Sequence, residues 1–399
     1  MDSAVRFGLA AALALLAMPI GTASAQARRF ELLYTFRGAD GNGPVVAPIL
    51  DDQGNLYGTT RSGGAADKGT AFKLGADGNL TVLADFARHG SGAEPLASLW
   101  RDAHGNLFGT TWNDRGGRHP PSGGTLFEIT ASGRGKILHR FAPFDSAGYS
   151  PEGGVIGDAQ GNLYGATMLG GAYGYGVAYK LAPDGTMTVL HAFGATSDDG
   201  RQPVGSLAMD AAGNLYGATT QGGAQQAGGT VFKIAPDGTE SIVHSFWVQG
   251  SDGFQPYGGV LLDATGNIYG TTTLGGHDFD GTVYKLAPDG TETILHSFSK
   301  YLDGTQPMGS LVADAKGDLY GTTSSFGPGF SGTVFEIAHD GTFRTLHSFD
   351  TIGRRFHNGI WPVGGLAIDA AGNLYGTTSA DGGTPQHHGY GTVFKISAR

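Results

Sequence analysis

The sequence predicts an all-β chain, a seven-bladed β-propeller, and three observations carry that prediction. A phrase of the form G-N-L-Y-G-T-T occurs seven times, beginning at Gly54, Gly105, Gly161, Gly213, Gly266, Gly317 and Gly372, with successive copies 51 to 56 residues apart. Each copy sits among four short segments rich in β-branched and aromatic residues, separated by Gly, Pro, Asp and Asn. The two ends of the repeat array are complementary. A spare fourth-strand segment stands at the N-terminal side, and the last copy stops after its third strand.

The fifth repeat shows the four segments most cleanly: Pro256–Leu262, Asn267–Thr273, Gly281–Leu286 and Glu292–Phe298. Units of about 50 residues with four antiparallel strands match a propeller blade in length and content. An open solenoid would need atypical capping repeats at both ends, and neither end carries one. Instead 30–36 resembles the outer strand of the other repeats and is expected to pair with Gly391–Ile396, closing the ring and removing two sheet edges. The expected blades are then 44–86, 95–141, 151–193, 203–246, 256–298, 307–349 and 362–396, the last completed by 30–36.

The P-x-G-[GS]-[LV] segment is placed innermost. Seven inner strands crowd one axis, and Gly153-Gly154, Gly205-Ser206, Gly258-Gly259, Gly309-Ser310 and Gly364-Gly365 are what close backbone approach permits. The first repeat departs, with Val46-Ala47-Pro48. The Tyr of N-L-Y-G (Phe108 in the second blade) is expected between adjacent blades, with Leu on the opposite face. Turns between first and second strands follow D-x-x-G-N, with Asp52, Asp102, Asp158, Asp210, Asp263, Asp314 and Asp369 expected to open them by accepting backbone N–H groups. Turns between third and fourth strands follow A-P-D-G-T, as at Ala235–Thr239 and Ala287–Thr291.

Residues 1–25 stand outside this pattern. Arg6, an apolar run from Phe7 to Ile20 and Ala23-Ser24-Ala25 read as a secretory signal peptide cleaved near Ala25, leaving residues 26–399 as one propeller domain, secreted or periplasmic. The apolar run is too short and Ala-rich to read as a membrane span, and no later segment supplies a transmembrane anchor. The absence of cysteine places all stability in the core. A net charge of −10 argues against a nucleic-acid partner.

Thirteen histidines raise the question of metal or catalysis. Five of them, His139, His191, His244, His296 and His347, share one position in the outer strand. Sevenfold geometry spreads them around the rim, so they cannot meet at one ion and read as structural. The turn aspartates lack the EF-hand pattern and its terminal Glu. Candidate functional residues therefore lie where the repeat breaks down, in the loops before each inner strand and between second and third strands, which share one face. There the second blade offers Trp112, Arg115 and His119, and the approach to the fourth offers Arg201. The fifth blade offers His277 and Asp278, a pair that with Asp280 has the donor types of a metal site, and the seventh offers Trp361, His387, His388 and Tyr390. Flat aromatic rings beside polar tips suit a carbohydrate, with a peptide or another protein as the other candidate ligands.

The run G-N-L-Y-G-T-T…G-T-V-F-K-[LI]-A-P-D-G-T…[IV]-[LV]-H-S-F…Q-P-x-G-[GS]-[LV] resembles the GloVer tandem repeat of exported bacterial proteins over essentially the whole chain beyond the leader. That resemblance implies a propeller of unassigned biochemical role, often with a C-terminal sorting tail; here only Ser397-Ala398-Arg399 follow Ile396. More distantly, P-x-G-x-[LV]-x-x-D-x-x-G-N-[LI]-Y is similar to NHL-type propellers and to streptogramin lyases, which use His and Glu with Mg²⁺ on the loop-rich face. No His/Glu pair carries over residue by residue. The leading expectation is an exported, non-catalytic binding or scaffolding propeller engaging its ligand through the variable face. The alternative is a secreted lyase or hydrolase assisted by a divalent metal, fed by the His277/Asp278 and His387/His388 loops.

Overall fold

The computed structural model describes residues 28–86, 92–113, 123–224, 228–249, 252–350, 358–381 and 389–398. It is a seven-bladed propeller of four-stranded antiparallel sheets, and among the described residues no helix is long and apolar enough to cross a membrane. In the first blade the strands are Ile49–Leu50, Leu56–Thr60, Thr70–Leu74 and Leu80–Asp85, in that order from the axis outward. The seventh sheet takes Ala367–Ile368, Leu374–Thr378 and Thr392–Ile396 from the C-terminal end and Phe30–Thr35 from the N-terminal end. Phe30 pairs with Ile396 and Thr35 with Thr392, so the ring closes as the complementary ends predict.

Second, third and outer strands fall where the sequence places them. Inner strands are shorter than expected: in the fifth blade only Leu261–Leu262 pair with the second strand, not Pro256–Leu262. The reason is crowding at the axis. A Cβ on Gly153 would lie 1.9 Å from the Gly205 carbonyl oxygen, one on Gly205 2.6 Å from the Gly259 nitrogen, and one on Gly309 2.5 Å from the Gly365 nitrogen. Inner segments pack backbone to backbone against the next blade, and the ladder to their own second strand gives way before the axis. The fourth blade is the exception, with an inner strand from Gly200 to Met209.

One aromatic contact is repeated around the whole ring. A Phe at the end of each outer strand or just past it packs edge-on, or tilted in the case of Phe141, against the third-strand aromatic of the next blade: Phe36 on Phe72, Phe86 on Phe127, Phe141 on Tyr179, Phe193 on Phe232, Phe246 on Tyr284, Phe298 on Phe335 and Phe349 on Phe394, at centroid separations of 4.9 to 5.3 Å. Each such pair is worth about 0.5–1.5 kcal/mol beyond the area it buries. The Tyr of N-L-Y-G also packs between blades: Tyr57 joins Leu99, Leu107 and Phe127 of the next blade, while Leu56 faces Phe36 and Val393 of the previous one.

The turn chemistry holds with one correction. In the first blade the capping carboxylate is that of Asp51, not Asp52, because the cap stands three residues before the glycine. Asp51 accepts the Gln53 and Asn55 N–H groups (3.0 and 2.9 Å) and the Tyr57 hydroxyl (3.0 Å), while Asp52 is exposed. Hydrogen bonds from Asn55 and Tyr57 hold its carboxyl below the usual range, although burial opposes them.

The outer-strand histidines do not converge on one another. Each enters a slot between its own blade and the next, stacked edge-on to the Phe two residues on, as His191 is to Phe193 at 4.8 Å. His296 lies flat on Phe343 (3.7 Å) and His347 flat on Phe30 (4.0 Å). In two slots the partner is a carboxylate rather than a ring.

Candidate functional site: the axial mouth

The proline opening each inner segment is followed by one residue that, in six of the seven blades, faces the axial cavity. Around the ring these are Val45, Leu96, Glu152, Val204, Tyr257, Met308 and Val363. Six of the seven, together with Arg61 and the inner-strand glycines and serines, line a cavity of about 290 Å³ on the axis. Before each proline stands a residue with left-handed backbone: Gly43, Glu94, Ser150, Gln202, Gln255, Gln306 and Trp361, with φ from 54° to 66°. Its N–H reaches the loop of the previous blade and its carbonyl accepts from the end of its own second strand, as in Trp361 N–H to Ser331 O (3.1 Å) and Ser379 N–H to Trp361 O (3.1 Å). That clasp fixes the mouth on rigid elements and offsets the strain of a non-glycine residue there.

Two members of the axial ring break its apolar character. Tyr257 donates its hydroxyl hydrogen bond across the mouth to Glu152 Oε1, spanning from the fifth blade to the third. Glu152 Oε2 is buried and has no hydrogen-bond partner. Burial pushes the Glu152 carboxyl up, against the pull of the Tyr257 hydroxyl, and burial together with the Glu152 charge pushes the Tyr257 phenol up as well. Deeper in the throat, Ser310 Oγ accepts the Gly259 N–H (2.8 Å), Ser206 Oγ accepts the Gly154 N–H (3.2 Å), and Ser98 Oγ donates to the Ala47 carbonyl (3.2 Å). The arrangement offers a ligand one unpaired oxygen acceptor inside an apolar collar, with the Arg61 guanidinium at the edge.

Most residues singled out from the sequence are not gathered here. Trp112 follows the second strand of its blade, at the repeat position that Arg61 holds in the first, and its N–H bonds the Glu94 carbonyl (3.1 Å). Trp361 is 48% exposed and directly precedes Pro362 and the lining residue Val363. Neither ring lines the cavity itself. Arg201 instead lies over the Tyr175 ring at 4.6 Å. His277 and Asp278 pair at 2.8 Å in an exposed loop, while Asp280 accepts the Lys300 N–H (2.8 Å) and is committed there. Tyr390 rests against Gly38 of the closing segment. Arg115, His119, His387 and His388 lie outside the described residues. Glu152 and Tyr257 were missed. Their signal was available: two polar residues at a position that is apolar in the five other copies.

Three solved structures similar to this chain share its architecture. Virginiamycin B lyase from Staphylococcus aureus superposes with a TM-score of 0.62 at 13% identity, over 93% of this chain and 100% of that one. A streptogramin B lyase gives 0.63 at 12% identity, over 94% and 99%. The extracellular domain of a protein described as a one-component system from B. thetaiotaomicron gives 0.61 at 11%, over 94% of this chain and 40% of that one. At these identities the likeness is one of fold. No curated protein sequence matches the chain. The family model for the Gloeobacter/Verrucomicrobia repeat matches three overlapping stretches, 20–156, 122–301 and 225–399, which together take in every blade. The chain therefore belongs to the Gloeobacter/Verrucomicrobia repeat family.

Proposed function

We propose that this chain is an exported binding propeller that takes a small polyhydroxylated ligand, such as the end of a sugar chain, into its axial mouth. The observation that carries the reading is the buried, unpaired Glu152 Oε2, held in place by Tyr257 within an apolar ring. A buried acceptor without a donor leaves a hydrogen bond to be made, and a ligand hydroxyl supplies it. Trp361, exposed and two residues before the lining Val363, offers a flat apolar face of the kind that sugar rings cover. The cavity is of a size for one such ring and not for a folded partner. Export follows from the leader-like residues 1–25 and is in keeping with the extracellular origin of one similar fold.

The test is a glycan and polyol screen by thermal shift, with hits measured by titration calorimetry. Glu152→Gln and Tyr257→Phe are expected to weaken a hit at least about tenfold, the scale of one buried hydrogen bond to a charged group. A hit that binds both variants as tightly as the parent refutes the axial mouth as the site. Turnover of a hit by the parent chain, lost on stripping divalent cations, would instead support the metal-assisted lyase or hydrolase reading.

A further inference from the structure

The slots between outer strands form a sevenfold set with one informative position. Opposite the last residue of each third strand stand Leu80, Gly135, Met187, Glu240, Glu292, Phe343 and Phe30. Five of these are apolar or glycine, so the slot needs no charge to pack. The fourth and fifth blades nevertheless place a glutamate there. Each faces the histidine of the preceding blade and the aspartate of a D-G pair that follows that histidine.

The first cluster is His191, Asp199 and Glu240, and the second is His244, Asp252 and Glu292; in each, one ligand atom per residue lies within 4.8 Å of the others. His191 Nε2 is 3.3 Å from Asp199 Oδ2, which also accepts the Gly194 and Ala195 N–H groups (2.7 and 2.9 Å). His244 Nε2 is 3.6 Å from Glu292 Oε2 and 3.9 Å from Asp252 Oδ2, and the latter accepts the Trp247 N–H (2.8 Å). These backbone donors orient the aspartates as outer-shell partners orient metal ligands. Several atoms remain buried without a hydrogen-bond partner: Glu240 Oε1 in the first cluster, and His244 Nε2, Asp252 Oδ1 and Glu292 Oε1 in the second. An imidazole and two carboxylates gathered within 4.8 Å of one another, with buried polar atoms left unmet, stand in a slot that apolar side chains fill elsewhere.

We propose that these two clusters bind divalent transition-metal ions of the zinc class, one between the third and fourth blades and one between the fourth and fifth. One imidazole nitrogen and two carboxylate oxygens suit such an ion. Ligands about 2.0–2.2 Å from a tetrahedral ion stand roughly 3.3–3.6 Å from one another. The His–carboxylate separations of 3.3 to 3.9 Å are close to that, and any pair at the 4.8 Å limit must draw in by about 1.2–1.5 Å on binding. Solvent supplies the fourth ligand, because the side chains of both glutamate slots reach the surface in part. Each ion ties an outer strand to the next blade at the place where the other slots use aromatic or aliphatic contact. The proposal is independent of the axial ligand.

The experiment uses the full chain without a histidine tag, stripped with chelator and titrated with Zn²⁺ by calorimetry and with Co²⁺ by visible absorption. The expected result is two ions per chain in these sites, with a tetrahedral Co²⁺ spectrum. Glu240→Gln and Glu292→Gln should each remove one ion and half the absorption, and the double variant both, with residual affinity lower by at least about tenfold. Zn²⁺ should raise the melting temperature of the parent and leave that of the double variant unmoved. Uncharged residues already occupy this slot in five blades, so the variants are expected to fold. Glu152→Gln should bind metal as the parent does. A double variant that keeps both ions overturns the proposal. So does a parent chain that binds none, in which case the paired carboxylates share a proton instead.

Discussion

His347 is expected to make the ring acid-sensitive at its seam. It stands in the sixth blade's outer strand, Phe343–Asp350, two residues before Phe349, and its imidazole lies flat on Phe30, the first residue of the closing strand. Its Nε2 is buried without a partner, and burial depresses its pKa from 6.5 to about 4. A base whose folded pKa is depressed contributes full stability above the unfolded value. That contribution is lost as pH falls through 6.5 toward 4, because the unfolded chain takes up the proton and the folded one does not. Between pH 7.5 and 4.5 the loss assignable to His347 is about 2.5 kcal/mol. Other groups titrate in the same window. Glu292, raised to about 8 by burial and the Asp252 charge, works in the opposite sense, since its protonation favours the fold as pH falls. The perturbation must therefore be a difference. Urea denaturation of the parent and of His347→Leu at pH 7.5 and 4.5 leaves the other groups common to both. The parent should lose about 2.5 kcal/mol more than the variant across that interval. The protection factors of the Phe30–Thr35 amides, which remove the intrinsic pH dependence of exchange, should fall on acidification in the parent and less in the variant. Stability curves parallel to within about 0.5 kcal/mol would refute a neutral, buried His347.

Two further outcomes test the closure and the axis. In five blades the third-strand lysine lies over the second-strand tyrosine, as Lys73 does over Tyr57, but the sixth has Glu336 at that position and Arg28 over Tyr320 instead. Arg28 also donates to the Tyr320 hydroxyl (2.8 Å) and the Gly372 carbonyl (3.1 Å), so Arg28→Ala should cost about 3 kcal/mol in denaturant titration, and adding Glu336→Lys should recover part of it. Gly309→Ala should abolish soluble expression or lower the melting temperature steeply, whereas Gly135→Ala, with no atom within 4 Å of the new methyl, should stay within about 0.5 kcal/mol of the parent.

The architecture was legible because each blade repeats the same local instructions. Strand alternation, the D-x-x-G-N cap and the glycines near the axis can all be read within one 50-residue unit, and reading seven units averages out the noise in any one. The closure was legible for a different reason: Phe30–Phe36 matches an outer strand that the last blade lacks. What resisted reading depends on neighbours that are close only across blades. Glu152 meets Tyr257 from 105 residues away, over an intervening blade, and nothing local to either residue announces the pair. His191 reads as structural because its position recurs in five blades, and its neighbour Glu240 is not visible from that repeat because it belongs to the next one. The inner strands came out too long because their shortening is imposed by other inner strands, not by their own sequence.

The same geometry makes the molecule its own control. Seven slots share one backbone register, and the chain fills them differently: Tyr34 reaches Asp40 at 2.6 Å in one, His296 stacks on Phe343 while bonding Asp303 at 2.7 Å in another, and His244 meets two carboxylates in a third. Backbone and burial are nearly constant across the set, so a difference between slots reports on side-chain chemistry. Transplanting Phe343 into the Glu292 position tests whether the fifth blade's charge is dispensable for folding, because the sixth blade already shows how a Phe packs against a slot histidine. If stability rises while ion binding at that slot is lost, the charge is retained for binding and not for the fold. If stability collapses, the cluster holds the blades together by itself. In a repeat protein the departures from the repeat carry the individual chemistry, and here they gather at the axial mouth and at two neighbouring slots of the rim.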